Sequence, residues 1–291
     1  MNILFLGGTR FFGVEAVREL LRAGHRVTIA TRMRAPDAFG DRVERLQLDR
    51  TDAGSVARGL TGRSFDVVYD NTAYASNDVR RLLDVVTTHR YVLTSSASVY
   101  LEGGRDVSES AFDPLQYPLA WCERNGADYA EGKRRAEAAA FRNHPNLRCV
   151  AVRFPVVLGL HDYTQRLYFY AERIARRLPL HIDNLDRELA FISAPEAGRL
   201  LAFLSDANFD GPLNAASNGG VRLFAVVEYL ERKCRRAALL SEVGEGAPFN
   251  GSPTLTLDTS RAQRLGFSFS ETGSWLWKLL DIYVERVQRE G

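Results

Sequence analysis

Along the first half of the chain, apolar positions alternate between two spacings. Residues 3–6 (Ile3, Leu4, Phe5, Leu6) form an unbroken apolar run, the pattern of a strand buried on both faces. Residues 14–24 instead carry Ala16, Val17, Leu20 and Leu21 on one helical face and Glu15, Arg18, Glu19 and Arg22 on the other, with Gly24 as the stop. Strand patterns recur at 25–30, 42–48, 65–69, 91–94 and 147–154. Helical patterns fall at 51–60, 77–88 and 127–142, and 101–121 reads as loop. This alternation predicts an α/β chain of Rossmann type, a doubly wound parallel sheet with right-handed crossovers. Beyond 155 the rhythm changes to helices at 163–177, 194–205, 223–235 and 272–288, with short strands at 213–214 and 254–257. Residues 1–155 are therefore expected to form the Rossmann domain. Residues 156–291 are expected to form mostly a small C-terminal lobe, interleaved with late sheet elements.

Between the first strand and helix lies Gly7-Gly8-Thr9-Arg10-Phe11-Phe12-Gly13. A glycine turn opening a helix lets backbone approach a pyrophosphate, which then faces unsatisfied N–H groups and the positive end of the helix dipole. On strand one of such a sheet, this predicts a dinucleotide cofactor. The adenosine ribose should meet the loop after strand two, about 20 residues beyond the turn. That loop holds Arg32, with Arg34 near, and no acid. Guanidinium groups suit a 2′-phosphate, which favours NADP over NAD. Asp49 and Arg50 after strand three are candidates for the adenine end. Asn71-Thr72-Ala73 after strand four are candidates for the riboses.

Composition narrows the partners. The 291 residues are 45% apolar, with 38 basic and 36 acidic side chains and a net charge of +2. That balance disfavours a nucleic-acid or membrane partner. No segment reaches ~18 apolar residues, and the start lacks the basic run of a signal peptide. Cys122, Cys149 and Cys234 are odd in number and lack CxxC spacing, which fits free thiols in a cytoplasmic protein. The histidines share no ligand spacing, so no metal is expected.

Tyr129 and Lys133 stand four apart on one face of the predicted 127–142 helix. A free tyrosine titrates near 10, and a close ammonium is expected to lower that value and make it a usable acid–base. Lys133 can also hydrogen-bond the nicotinamide ribose. Ser96 ends the neighbouring strand, where its hydroxyl can hold a substrate oxygen beside Ala97.

In order along the chain, these motifs resemble the extended short-chain dehydrogenase/reductases, the NAD-dependent epimerase/dehydratase family. The resemblance is carried by Gly7-Gly8 to Gly13, Ser95-Ser96-Ala97-Ser98-Val99-Tyr100, Tyr129 to Lys133, Arg153-Phe154-Pro155-Val156, Phe191-Ile192-Ser193 and Leu257 to Phe267. It implies a Ser96–Tyr129–Lys133 triad, Pro155 and Val156 beside the nicotinamide, and a lobe that binds a nucleotide sugar or related polyol. It implies a homodimer in which helices 77–88 and 127–142 make a four-helix bundle. Ala97-Ser98 stand where the family's 4,6-dehydratases carry an acidic pair, so dehydration is not expected. Redox or epimerisation at one carbinol or carbonyl carbon remains. Arg10 replaces the usual middle glycine of the turn. This GGTRF-type turn looks like an atypical branch that includes chloroplast stem-loop RNA-binding proteins, so a non-catalytic binding protein is the alternative. His161 is a candidate second acid–base. Arg166 is a candidate for gripping a substrate diphosphate, together with Arg173, Arg176 and Arg177. Tyr117 and Trp121 are candidates to cover the substrate.

Overall fold

Strand β1 (Asn2–Leu6) lies inside a seven-stranded sheet, its apolar run covered on both faces. The structure is a computed structural model that describes residues 1–34 and 36–290. Numbering only this sheet, the other strands are β2 (Arg26–Thr31), β3 (Glu44–Gln47), β4 (Ser64–Asp70), β5 (Thr87–Ser96), β6 (Arg148–Phe154) and β7 (Gly211–Asn214). They run in the order β7-β6-β5-β4-β1-β2-β3, and every pairing is parallel. The order reverses between β1 and β4, which opens a crevice at the carboxyl ends of the strands.

Nine helices follow among the described residues: α1 (Phe12–Arg22), α2 (Ala53–Leu60), α3 (Ser76–Leu83), α4 (Tyr129–Asn143), α5 (Arg166–Ala175), α6 (Ala194–Phe203), α7 (Leu223–Cys234), α8 (Ser260–Arg264) and α9 (Thr272–Glu290). Strand alternation divides the core. Ile3 and Phe5 face one side with Val17 and Leu20 of α1 and Leu200 and Leu201 of α6. Leu4 and Leu6 face the other, with Val79 and Leu82 of α3 and Ala136, Ala139 and Ala140 of α4. In the lobe, α5, α7 and α9 pack around Phe191 and Phe249.

Each half lends a strand to the other. Gly211–Asn214 completes the main sheet beside β6, while Gly104–Val107 pairs with Leu255–Leu257 in a four-stranded sheet of the lobe. The stretch 101–121 is therefore not all loop, because its strand finds a mate about 150 residues further on. The 77–88 helix also ends early: α3 stops at Leu83, and Thr87 and Thr88 open β5 opposite Ser64 and Phe65. The β-branched run 85–88 favours extended backbone there.

A strap, residues 113–126, lies over α3 and α4. Ser76 Oγ donates to Ala120 O (2.8 Å) and accepts from Cys122 N (2.8 Å). Tyr117 OH donates to Glu131 (2.6 Å), and the Arg80 guanidinium lies 4.8 Å above the Trp121 ring. Tyr117 and Trp121 thus pack against the two helices and do not line the cleft described next. No described helix is long and apolar enough to cross a membrane.

Candidate active site

The glycine turn can form only as glycine. Gly7 and Gly8 have φ of 94° and 82°, and a Cβ on Gly8 would lie 2.9 Å from Val17 Cγ2 and 3.1 Å from Phe5 Cδ1. At the N-terminus of α1 no side chain caps the helix; Gly13 N and Val14 N turn back to Arg10 O (3.1 Å) and Phe11 O (3.0 Å), and the turn meets the positive end of the helix dipole. These features fit a dinucleotide's pyrophosphate. A cleft of about 1050 Å³ runs from this turn across the carboxyl ends of the strands to the lobe.

Of the residues expected to hold cofactor, Gly7, Gly8, Thr9, Arg10, Phe11, Phe12, Arg32, Asp49, Arg50, Asn71, Thr72, Lys133, Pro155 and Val156 line this cleft. Two do not. Gly13 packs behind the turn, where a Cβ would lie 3.1 Å from Gly8 Cα, and Ala73 is buried, its carbonyl accepting from Lys133 Nζ. Arg50 lines the wall but is committed elsewhere. It is buried, ion-paired to Asp70, and donates to Thr72 Oγ1 (3.1 Å) and Asp78 O (2.6 Å). Asp49 accepts from Thr51 N (3.0 Å) and Oγ1 (2.6 Å), which holds its carboxyl below the usual range. Arg32 and Arg34 stand exposed at the mouth.

Tyr129 is the first residue of α4, and the helix is capped by the Asp128 carboxylate, which accepts from Glu131 N (2.7 Å). One turn on, Lys133 is 2% exposed, and its Nζ donates to Ala73 O (2.7 Å) and Thr94 O (2.8 Å). Two of its three donors are spent, leaving one. Burial pushes its pKa down to about 8, with the Asp70 charge pulling the other way.

The phenol behaves otherwise than the sequence predicts. Tyr129 is half-exposed (52%), yet the protein around it displaces enough water to push its pKa above 10. The nearby Ser96 hydroxyl and the Arg166 charge act in the opposite direction. The ammonium, 5.7 Å from the ring centroid, is turned toward the two carbonyls. Ser96 ends β5 and, with Ala97, Ser98 and Tyr129, lines the cleft.

Behind this wall is a buried network that sequence reasoning gave no role. Arg153 is fully buried and donates to both Glu137 oxygens (2.7–3.3 Å), to Tyr100 OH (3.2 Å) and to the carbonyls of Glu109 (2.9 Å) and Phe112 (2.8 Å). Ser95 also donates to Glu137. The signal was present as an arginine in an apolar strand and a glutamate among the alanines of α4, since a buried charge demands a mate.

Other expectations separate at the lobe. His161 is exposed and does not line the cleft, whereas Asp162 beside it does. Arg166 lines the cleft, but Arg173 points away into an ion pair with Glu245, and Arg176 lies 3.6 Å from Glu172. No group of three or more metal-ligating side chains occurs among the described residues.

A family model described as the NAD dependent epimerase/dehydratase family matches residues 3–210. A solved UDP-glucose 4-epimerase of Thermotoga maritima, with UDP-glucose, superposes with a TM-score of 0.73 at 15% identity, covering 100% of this chain and 99% of that one. A UDP-glucuronic acid 4-epimerase of Bacillus cereus, in complex with UDP-glucuronic acid and NAD, does so at 0.74 and 18%, covering 100% of both. At such identities the likeness is one of fold. The chloroplast stem-loop binding protein of 41 kDa b from Arabidopsis thaliana is 27% identical over 198 residues, 63% of this chain and 49% of that protein. This chain thus spans about half the length of that relative.

Proposed function

The chain belongs to the NAD-dependent epimerase/dehydratase family, and from that premise we propose an oxidoreductase or epimerase. It would act at a single carbinol or carbonyl carbon of a nucleotide sugar or related polyol. The observation that carries this reading is the convergence of Ser96, Tyr129 and Lys133 on one cleft with the glycine turn. A bound nicotinamide would supply the hydride donor or acceptor. Ser96 hydrogen-bonds the substrate oxygen, and Tyr129 gives that oxygen a proton on reduction or takes one on oxidation. The remaining donor of Lys133 holds a ribose hydroxyl, which ties cofactor position to proton transfer. Free thiols support a cytoplasmic setting, with Cys122 and Cys149 buried.

Lys133 predicts a pH dependence. Its pKa is lowered to about 8, so the ammonium is present below that value and is lost as pH rises through it. Affinity for NADPH or NADH, followed by nicotinamide fluorescence between pH 6.5 and 9.5, should therefore fall above about 8. The fall should vanish in Lys133→Met. A flat profile in the unsubstituted protein would remove the lysine from the site.

Among dinucleotides we favour NADP, supported by Arg32 and Arg34 at the end of β2, although the Bacillus cereus relative was solved with NAD. NADPH should bind at least ~10-fold more tightly than NADH, and the double change Arg32→Ala, Arg34→Ala should erase the difference. Equal affinities would refute the preference. No affinity for either would refute the oxidoreductase itself. Dinucleotide retained through purification would favour an epimerase, which must keep its nicotinamide through turnover.

The stem-loop binding relative supports a second reading, a non-catalytic binding protein. A salt-dependent gel shift with structured RNA, in protein that ignores both dinucleotides, would select it.

A further inference from the structure

The buried ammonium of Lys133 has no carboxylate of its own. Three acids stand around it, and each is already paired with arginine: Asp70 of β4 with Arg50, Asp78 of α3 with Arg50 and Arg124, and Glu137 of α4 with Arg153. None lies within ion-pair distance of Nζ among the described residues, and the Arg50 charge repels the ammonium. The two carbonyls that accept from Nζ are neutral dipoles. A buried cation without a counter-charge is costly, so another electron-rich group is needed.

Tyr74, in the loop after β4, supplies one. Nζ lies 4.8 Å from the centroid of the Tyr74 ring, within cation–π reach and nearer than to the Tyr129 ring at 5.7 Å. The ring is held from several sides. Tyr74 N donates to Asp78 Oδ2 (2.8 Å), the Arg124 guanidinium lies 5.0 Å from the ring centroid, and the Tyr129 ring lies 6.1 Å away. A Cβ on Gly132 would sit 2.4 Å from Tyr74 O, so glycine there lets α4 close on this loop and brings the next residue, Lys133, against it.

We propose that Tyr74 is a positioning residue: its ring face holds the Lys133 ammonium beside the carbonyls of Ala73 and Thr94, leaving the third N–H for a ribose hydroxyl. This rests on the oxidoreductase reading only for the use made of that N–H. The chain has three lysines, Lys133, Lys233 and Lys278, so the full chain labelled with ¹³C at lysine Cε gives three resonances, and Lys133→Met assigns one. That resonance should titrate near 8, with its ε protons shifted upfield by the ring current. Tyr74→Leu keeps an apolar cover without a π face, so the midpoint should fall by at least about 0.5 pH units. Tyr74→Phe keeps the face and should hold the midpoint. The pH at which NADPH affinity falls should move down in Tyr74→Leu and stay in Tyr74→Phe. Thermal melting of each variant reports its folding. The proposal is overturned if Tyr74→Leu leaves the Lys133 midpoint in place, or if Tyr74→Phe shifts it as far as Tyr74→Leu does. If the resonance behaves as expected in a chain that takes up no dinucleotide, the role of Tyr74 stands and the oxidoreductase reading falls.

Discussion

Replacing Tyr129 with Phe should lower turnover by about 10²–10⁴-fold while leaving dinucleotide affinity unchanged. The substitution removes only a hydroxyl from a half-exposed side chain, so it strips no buried group of its mate. Ser96 keeps its hydrogen bond from Ser98 N in the turn after β5, and Lys133 keeps the carbonyls of Thr94 in β5 and Ala73 in the loop after β4. Like any tyrosine, Tyr129 carries its proton near neutral pH, and the surrounding protein, which shifts it upward, keeps it ready to act as an acid in carbonyl reduction. In the oxidative direction the phenol must first lose that proton. Oxidation should therefore speed up as pH rises, until Lys133 neutralises near 8 and the ribose contact weakens. Turnover that survives in Tyr129→Phe would mean that another group moves the proton.

Glu137→Ala should destabilise the fold by about 3–5 kcal/mol, read as a lowered urea midpoint at unchanged slope. Glu137 and Arg153 are both fully buried, and removing the carboxylate leaves the guanidinium with neutral acceptors only. Glu137 sits one turn beyond Lys133 on α4, so the ion pair also fixes the depth of the helix that carries the Tyr129–Lys133 pair. The paired change Glu137→Leu, Arg153→Met should recover much of the loss, since matched apolar groups replace a buried ion pair at little cost. An unchanged midpoint in the single variant would show that the network contributes nothing to stability.

The parts readable in the sequence were those with local causes. Ile3 to Leu6 announce a strand covered on both faces, and the glycines that follow announce a turn that only they can make. Tyr129 and Lys133 share a helix face by spacing alone. The parts that escaped depend on remote chain. Gly104–Val107 becomes a strand because Leu255 and Leu257 come to lie beside it. Arg50 resembles a cofactor ligand by position, yet Asp70 of β4 and Asp78 of α3 absorb its charge. The direction of the Tyr129 shift escaped for the same reason: spacing puts the ammonium near the ring, but the carbonyls of Ala73 and Thr94 decide where it points.

One consequence concerns self-association. The expected four-helix bundle requires α3 and α4 to offer a bare seam to a second copy. Residues 113–126 already occupy that seam, tied down through Ser76, Asn77, Arg81 and Arg142. Pairing by that route would first require peeling the segment away, and Arg124 at its end grips Asp78 and the carbonyl of Thr72. Dimerisation there would thus disturb the loop that steadies Lys133, setting assembly and active-site integrity against each other.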